Sequence, residues 1–128
     1  VLSNNPEVPN LLIDQIKTDE GISGKGTILT RNGEIYDGDL ENNQRNGFGV
    51  LGQRISPATD VFKLCYRGDW KNGKMHGNGL RVYPDGSFYV GEFKKGKRDG
   101  HGQQWYVDGA FYDGGYKNDL RHGLGNAI

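Results

Sequence analysis

The sequence has little of several features that mark common protein classes. Cys65 is its one cysteine, so the chain forms no internal disulfide, and a lone thiol is compatible with a reducing compartment. No apolar run approaches the ~20 residues of a membrane-spanning helix, and neither a signal-peptide pattern nor an Asn-x-Ser/Thr acceptor is present. Basic and acidic residues balance at 16 each. We therefore expect no nucleic-acid partner and a cytoplasmic location.

Glycine, in contrast, is abundant and periodic. It supplies 22 of the 128 residues, while apolar residues make up only 34%. A Tyr-x-Gly segment begins at Tyr66, Tyr89 and Tyr112, in steps of 23 residues, and a Gly-x-Gly segment follows each at the same offset. A fixed period of this length is typical of a repeat array, in which no unit buries an apolar face alone.

The array begins before Tyr66. The same unit starts at Tyr36, 30 residues before Tyr66 and so seven more than the period of 23. The seven additional residues fall around Pro57, which predicts a longer connection there. Glycines and an Asn32-Gly33 pair further upstream indicate a partial unit. We predict a linker or N-terminal extension over residues 1–12 and a repeat array over residues 13–128. The predicted units are a partial unit 13–35, units 36–65, 66–88 and 89–111, and a truncated unit 112–128. Since the sequence starts without methionine and stops inside a unit, we expect it to be part of a longer protein.

Each unit has the pattern of one β-hairpin. Residues 66–71 alternate aromatic residues and glycine with charged residues, which is the period of a strand with two different faces. Asn72-Gly73 predicts a type I′ hairpin turn, and Pro84-Asp85-Gly86 predicts the turn into the next unit. No segment has a helical period. The predicted fold is all-β: an elongated, single-layer antiparallel meander of β-hairpins with about 23 residues per repeat.

The glycines and the apolar residues predict how such a sheet is packed. Gly77 and Gly79 leave one face of the return strand bare, and we expect neighbouring rings to lie in that space. The opposite face carries an apolar stripe that includes Cys65, Phe88 and Trp105. In a single layer this stripe is either turned inward by the sheet twist or covered by a partner, and both alternatives stay open.

The repeating unit resembles the MORN (membrane occupation and recognition nexus) repeat. The resemblance rests on Tyr-x-Gly-x-aromatic, His-Gly-x-Gly and Asp-Gly elements, with close matches at residues 83–86 and 94–96, and it covers about residues 24–128. The departures are the seven-residue insertion, Asn46 and Asp99 in the histidine position, and Gly115 and Asp119 in the last unit. The resemblance implies an elongated array with an aromatic-lined groove. It also implies a scaffold or adaptor of cilia, cytoskeletal assemblies or membrane junctions, with dimerisation common.

The sequence offers no catalytic or metal site of convincing pattern. The repeat places His76, His101 and His122 at equivalent positions, so neighbouring ones would lie about 9.5 Å apart, too far for one zinc ion. The segment 37–41 resembles the start of a calcium loop, but the glycine and the closing glutamate that such a loop requires at its sixth and twelfth positions are absent. Cys65 has no base nearby in sequence that would activate its thiol. We predict a segment that is not an enzyme and that uses no metal or cofactor.

The favoured function is a protein-interaction scaffold. Its aromatic groove would hold a helix or an extended peptide, because Tyr and Trp are frequent in binding hot spots. The candidate partner-binding residues are Tyr66, Trp70, Tyr83, Tyr89, Phe93, Tyr106, Tyr112 and Tyr116. The plainer alternative is that most of these rings only hold the sheet together.

Two other functions stay open from the sequence. One is a peripheral anionic-lipid-binding module, since residues 66–100 hold eight basic and four acidic side chains. Its candidate residues are Lys71, Lys74, Lys94, Lys95, Lys97 and Arg98. The other is a regulatory array attached to an enzyme domain outside this sequence. An unpaired strand at the end of the meander also predicts a homodimer, or a partner that covers the edge.

Overall fold

The computed structural model of the chain describes residues 10–11, 15–18 and 21–128. Within those ranges it has eleven β-strands and no helix. The strands are β1 Asn10–Leu11, β2 Gln15–Thr18, β3 Gly21–Leu29, β4 Glu34–Glu41, β5 Gln44–Arg54, β6 Phe62–Lys71, β7 Lys74–Val82, β8 Phe88–Lys94, β9 Lys97–Trp105, β10 Phe111–Lys117 and β11 Leu120–Ala127. The predicted linker over residues 1–12 and the partial unit over residues 13–35 lie in part outside the described residues, so their boundaries stay predictions.

The strands form one antiparallel sheet in which sequence neighbours are spatial neighbours. β3 to β11 pair in chain order, and β1 and β2 both pair with the outer edge of β3. Each of the later units contributes two strands joined by a tight turn, as in β6–β7 and β8–β9. The predicted all-β meander of hairpins is confirmed.

The hairpin tips follow the turn chemistry of the sequence. Asn72 and Gly73 have φ values of 51° and 81°, as a type I′ turn requires, so this predicted turn is confirmed. Three further tips in the described part of the chain, at residues 42–43, 95–96 and 118–119, also have positive φ at both positions. Neighbouring tips are joined by backbone hydrogen bonds, for example from the Gly96 N–H to the Met75 carbonyl at 2.9 Å. The tips therefore form one continuous edge of the sheet.

The seven-residue insertion lengthens the connection between β5 and β6. A turn closes there through a hydrogen bond from the Thr59 N–H to the Ser56 carbonyl at 3.2 Å. β5 nevertheless pairs with β6 over residues 47–54, with one bulge next to Leu51. The predicted longer connection is confirmed, and the sheet stays continuous across it.

A row of paired glycines crosses the sheet from β3 to β11. Each of these glycines lies directly opposite the next one on the neighbouring strand. The members of this glycine row are Gly26, Gly38, Gly49, Gly68, Gly79, Gly91, Gly102, Gly114 and Gly125. A Cβ atom on Gly79 would overlap the Tyr66 hydroxyl, and one on Gly102 would overlap that of Tyr89. The row is bare of side chains because tyrosine rings lie over it.

Aromatic rings fill the face above the glycine row. The first tyrosine of each unit donates a hydrogen bond from its hydroxyl to the backbone carbonyl three residues further on, at 2.7 to 3.0 Å. The second aromatic residue of the later units lies edge-to-face between two such tyrosines, as Trp70 does between Tyr36 and Tyr66. The six contacts of this kind have centroid distances of 4.9 to 5.5 Å and interplanar angles of 80° to 89°. These rings link each unit to the next, so the stability of one hairpin depends on its neighbours.

Gly77 has a different role from the predicted one. Gly79 lies opposite Gly68, but a bulge then shifts the pairing of β6 with β7. Trp70 consequently lies opposite Met75 and not opposite Gly77. Gly77 has a φ of 63°, and a Cβ atom on it would lie 2.7 Å from Oδ2 of Asp69. That carboxylate accepts a hydrogen bond from the Asn78 N–H at 3.0 Å. The prediction that Gly77 and Gly79 together make room for rings is therefore wrong: Gly68 and Gly79 make room, and Gly77 shapes the bulge.

The opposite face of the sheet carries the apolar stripe. Phe88 and Trp105 stack with centroids 4.9 Å apart and 16° between their planes, and Phe111 follows with its centroid 5.0 Å from that of Trp105. Val82 pairs with Phe88 on the neighbouring strand. All four side chains are half-buried. The rings of the stripe therefore shield one another in part on the open face of the sheet.

Candidate functional site

The strands are bent so that the two ends of a hairpin face each other. Nη1 of Arg98, near the tip, lies 3.1 Å from Oε1 of Gln104, six residues further along β9. A straight strand would hold these two residues about 20 Å apart, beyond the reach of their side chains. Gly102 of the glycine row lies between them. The glycine row divides each hairpin into a part next to the tip and a part away from it, and we call these two parts the arms of the hairpin. The space between the arms on the ring side is the concave groove.

The same contact between arms recurs along the array. Nη2 of Arg45 lies 3.9 Å from Oε1 of Glu34, and Nη2 of Arg121 donates a hydrogen bond to the Tyr106 hydroxyl at 3.0 Å. Each of the three arginines also lies over core rings, with its guanidinium carbon 4.2 to 5.9 Å from the ring centroids. These arginines bridge the arms at three of the four units.

Arg98 is the most extensively bound of these arginines. Oδ1 of Asp119 accepts a hydrogen bond from its Nε at 3.1 Å, and the Asp119 carbonyl accepts one from Nη2 at 2.9 Å. Burial disfavours the charged form of Asp119, but the hydrogen bonds from Arg98 outweigh it and lower the pKa of the carboxyl. Gln104, the contact on the other arm, is only 2% exposed. The groove is therefore closed firmly at this unit.

The groove is open at the second unit, residues 66–88. The residue equivalent to Arg45, Arg98 and Arg121 there is Met75. Beside it lies a cavity of about 720 Å³ that is lined from both arms. Its lining includes the apolar or aromatic residues Leu51, Trp70, Met75 and Tyr83, the cationic residues Arg45, Lys63, Lys74 and Arg81, and the acidic Glu34. A cavity of this volume is in the range of sites that bind ligands.

The cavity combines an apolar floor with polar groups at its rim. The Tyr83 hydroxyl is buried and has no hydrogen-bond partner among the described residues. Burial raises the pKa of Tyr83, an effect that the charges of Arg98 and Arg81 reduce. The guanidinium of Arg81 lies 4.8 Å from the centroid of the Tyr83 ring. Cys65 also lines the cavity, and burial raises the pKa of its thiol, which lowers the thiolate fraction that a nucleophile needs.

The structure separates the eight predicted partner-binding residues into two groups. Six of them are core rings with 0% to 5% of their surface exposed: Tyr66, Trp70, Tyr89, Phe93, Tyr112 and Tyr116. Tyr83 and Tyr106 are half-buried and pack at the margin of the same core. Packing accounts for the six buried rings, so a partner on this face would find the accessible ring surface at Tyr83 and Tyr106. Partner binding itself stays a prediction.

The predicted lipid-binding residues do not form a single set. Five are exposed at two neighbouring hairpin tips: Lys71, Lys74, Lys94, Lys95 and Lys97. We call these five the tip lysines. Within the described part of the chain none of them forms an ion pair. Arg98 is instead half-buried in the concave groove and paired with Asp119.

His101 and His122 are exposed, and His76 is half-buried. Nε2 of His101 lies 2.9 Å from Oδ1 of Asp113 on the neighbouring strand. Among the described residues, no three His, Cys, Asp or Glu side chains are grouped as metal ligands would be. Over the same ranges, no helix has the length and apolar character to cross a bilayer.

Comparison with known proteins decides the family. A model of the MORN repeat matches residues 36–52, 66–88, 89–111 and 112–126, which is more than half of the chain. The chain belongs to the MORN repeat family. It is also similar to MORN repeat-containing protein 3 of Xenopus laevis, with 39% identity over 61 residues, 47% of this chain and 25% of that relative. The chain therefore matches about a quarter of the length of this curated relative. MORN repeats are interaction modules for proteins or membranes, and the predicted family is confirmed.

The sequence does not predict that one position in each unit of this MORN array bridges the groove or leaves it open. Arg45, Met75, Arg98 and Arg121 each follow the first tyrosine of their unit by nine residues. Comparing that one position between units would have shown an arginine in three of them and a methionine in one. The sequence gives no direct sign of the bend that places these side chains over the rings, apart from the row of glycines.

Proposed function

We propose that this MORN array is a non-enzymatic interaction scaffold that holds a segment of a partner protein in its concave groove. The observation that carries the proposal is the cavity of about 720 Å³ between the arms of the second unit. There Met75 leaves the arms unbridged, so a chain can enter. A helix or an extended peptide has the width for such a groove.

The walls of the cavity have the composition of a binding hot spot. Tyr83 and Arg81 are of the residue types that dominate such spots. Met75 adds a flexible apolar surface that can adapt to a partner. Nε1 of Trp70 donates a hydrogen bond to the Gly49 carbonyl at 3.0 Å, which fixes the indole before a partner arrives. Little ordering of the floor would be needed on binding.

In this proposal the array acts as an adaptor in a larger assembly. A ciliary, cytoskeletal or membrane-junction assembly is the setting that the family suggests. An attached enzyme domain that the array regulates is the alternative, and identification of the full-length chain distinguishes the two. A homodimer through the exposed edge strand β11 is compatible with both, because every residue from Leu120 to Ala127 is exposed.

The test is photo-crosslinking from defined positions. A benzophenone amino acid replaces Tyr83 in the groove or, as the control, Val107, which is 67% exposed in a turn outside it. We expect Tyr83 to crosslink one protein segment from a cell extract, with Val107 giving no such product. Crosslinks that form at Val107 and never at Tyr83 would contradict binding in the groove.

Membrane binding is the second candidate, and the tip lysines favour it. Five cations that form no ion pair with the described residues lie on two adjoining tips and can meet an anionic surface together, each contributing about 1 kcal/mol. Co-sedimentation with vesicles of anionic or neutral lipid at low salt tests this function. We expect binding to the anionic vesicles, lost in the triple variant Lys94→Glu, Lys95→Glu, Lys97→Glu. Equal binding of the triple variant and the original chain would argue against the tips.

A further inference from the structure

The cavity of the second unit differs from the rest of the groove at both of its arms. On the tip arm Met75 stands where the other units have arginine. On the other arm Arg81 stands where the third unit has Gln104, the partner of Arg98. The second unit therefore has its arginine on the arm away from the tip, where the third unit has Gln104. The guanidinium of Arg81 lies over the Tyr83 ring and not across the groove. This exchange leaves the space between the arms open.

The rim of the cavity has an excess of positive charge. It is lined by Arg45, Lys63, Lys74 and Arg81 against a single acidic residue, Glu34. Glu34 is already within 3.9 Å of Arg45. Within the described part of the chain, Lys63, Lys74 and Arg81 form no ion pair. An occupant with carboxylates would therefore complement a rim that this chain leaves unneutralised.

The open stretch of the groove has a definite length. Arg45 on β5 and Arg98 on β9 lie over the rings at its two ends and are four strand spacings apart, about 19 Å. An extended peptide of about six residues covers that distance. The floor between them presents the half-buried side chains of Leu51 and Met75, on which one bulky apolar side chain can pack. A flat membrane surface would not reach a floor that lies between two arms.

From this geometry we propose that the second-unit cavity binds a short acidic peptide, with one bulky apolar side chain on Leu51 and Met75 and flanking Asp or Glu residues at Lys63, Lys74 and Arg81. This inference rests on the proposed function, since it specifies the chemistry of the segment that the groove holds.

The experiment is selection of a display library of short random peptides against the chain. We expect the selected peptides to combine Leu, Phe or Trp with neighbouring Asp or Glu. Arg81→Glu should weaken the binding of a selected peptide about tenfold, the effect of losing one charge-assisted hydrogen bond. The matched control is Arg67→Glu, the same change at an exposed position opposite Leu80 on the neighbouring strand. It should leave affinity unchanged.

A second readout places the peptide at the floor of the cavity. Trp105→Phe removes the one tryptophan that lies outside the groove, so the remaining fluorescence comes from Trp70. A selected acidic peptide should change that fluorescence at saturation. A consensus of neutral or basic peptides, or an equal loss of peptide affinity in Arg81→Glu and Arg67→Glu, would overturn the inference. Crosslinking at Tyr83 would in that case still support the scaffold function. If a fatty acid such as oleate changes Trp70 fluorescence and no peptide does, the occupant is a lipid and the inference is wrong.

Discussion

Nη1 of Arg98 lies 3.1 Å from Oε1 of Gln104, six residues away on the same strand. The side chains of two residues at that separation on a straight strand cannot touch, so this one hydrogen bond shows that the strand is bent. The corresponding contacts of Arg45 with Glu34 and of Arg121 with Tyr106 show the same for two other units. A single-layer sheet thus encloses a core by bending, without a second sheet.

The glycine row is predicted to tolerate no side chain. Gly79→Ala places a methyl group where the Tyr66 hydroxyl and ring lie, although Gly79 itself has no positive φ. We expect a loss of about 3 kcal/mol in the free energy of unfolding, measured with urea. Gly96→Ala is the control, because it has a φ of 83° and open space around it, so only backbone strain applies. Its expected loss is about 1 kcal/mol, and equal losses at both sites would contradict packing over the row.

The two tryptophans should differ in their contributions to stability. Trp70 is 5% exposed and packs edge-to-face against Tyr36 and Tyr66, so Trp70→Ala should lower the free energy of unfolding by about 3–5 kcal/mol. Trp105 is half-buried on the opposite face, and Trp105→Ala should lower it by roughly 1–2 kcal/mol. Thermal melts followed by circular dichroism compare the two variants. A Trp70→Ala variant as stable as the original chain would mean that the ring is not part of the core.

Stability should fall at alkaline pH because of the core tyrosines. Burial raises the pKa of Tyr116 to about 12 and also raises the pKa values of Tyr36, Tyr66 and Tyr89. Their stabilising effect is therefore complete below about pH 10, where unfolded tyrosine titrates, and is lost as the pH rises toward the folded pKa values. Each such tyrosine contributes a slope of about 1.4 kcal/mol per pH unit above that point.

Urea unfolding at a series of pH values, with tyrosinate absorbance as a second signal, measures this dependence. Tyr66→Phe should reduce the alkaline slope by the share of one tyrosine. A free energy of unfolding that stays constant up to about pH 11 would show that the tyrosines titrate normally in the folded chain.

Local chemistry explains which parts of the fold could be read from the sequence. The tip at Asn72 and Gly73 depends on two residues that accept positive φ, and the sheet order follows from short connections. The role of Gly77 cannot be predicted from its spacing to Gly79, because a bulge changes which residues share a face and depends on both paired strands. The open cavity depends on Met75, Arg81 and a bend, and residues on different arms come together only in the folded sheet.

The bent sheet is the central claim, since the concave groove exists only where the two arms face each other. A double-mutant cycle between Arg98→Met and Gln104→Leu tests it most directly. If the two side chains touch, each single variant leaves a buried polar partner unsatisfied, and we predict a coupling energy of about 1–2 kcal/mol between the two changes in unfolding free energy. If the unfolding free-energy changes of the two single variants add up to that of the double variant within about 0.3 kcal/mol, the two residues are not in contact, and the bend is contradicted.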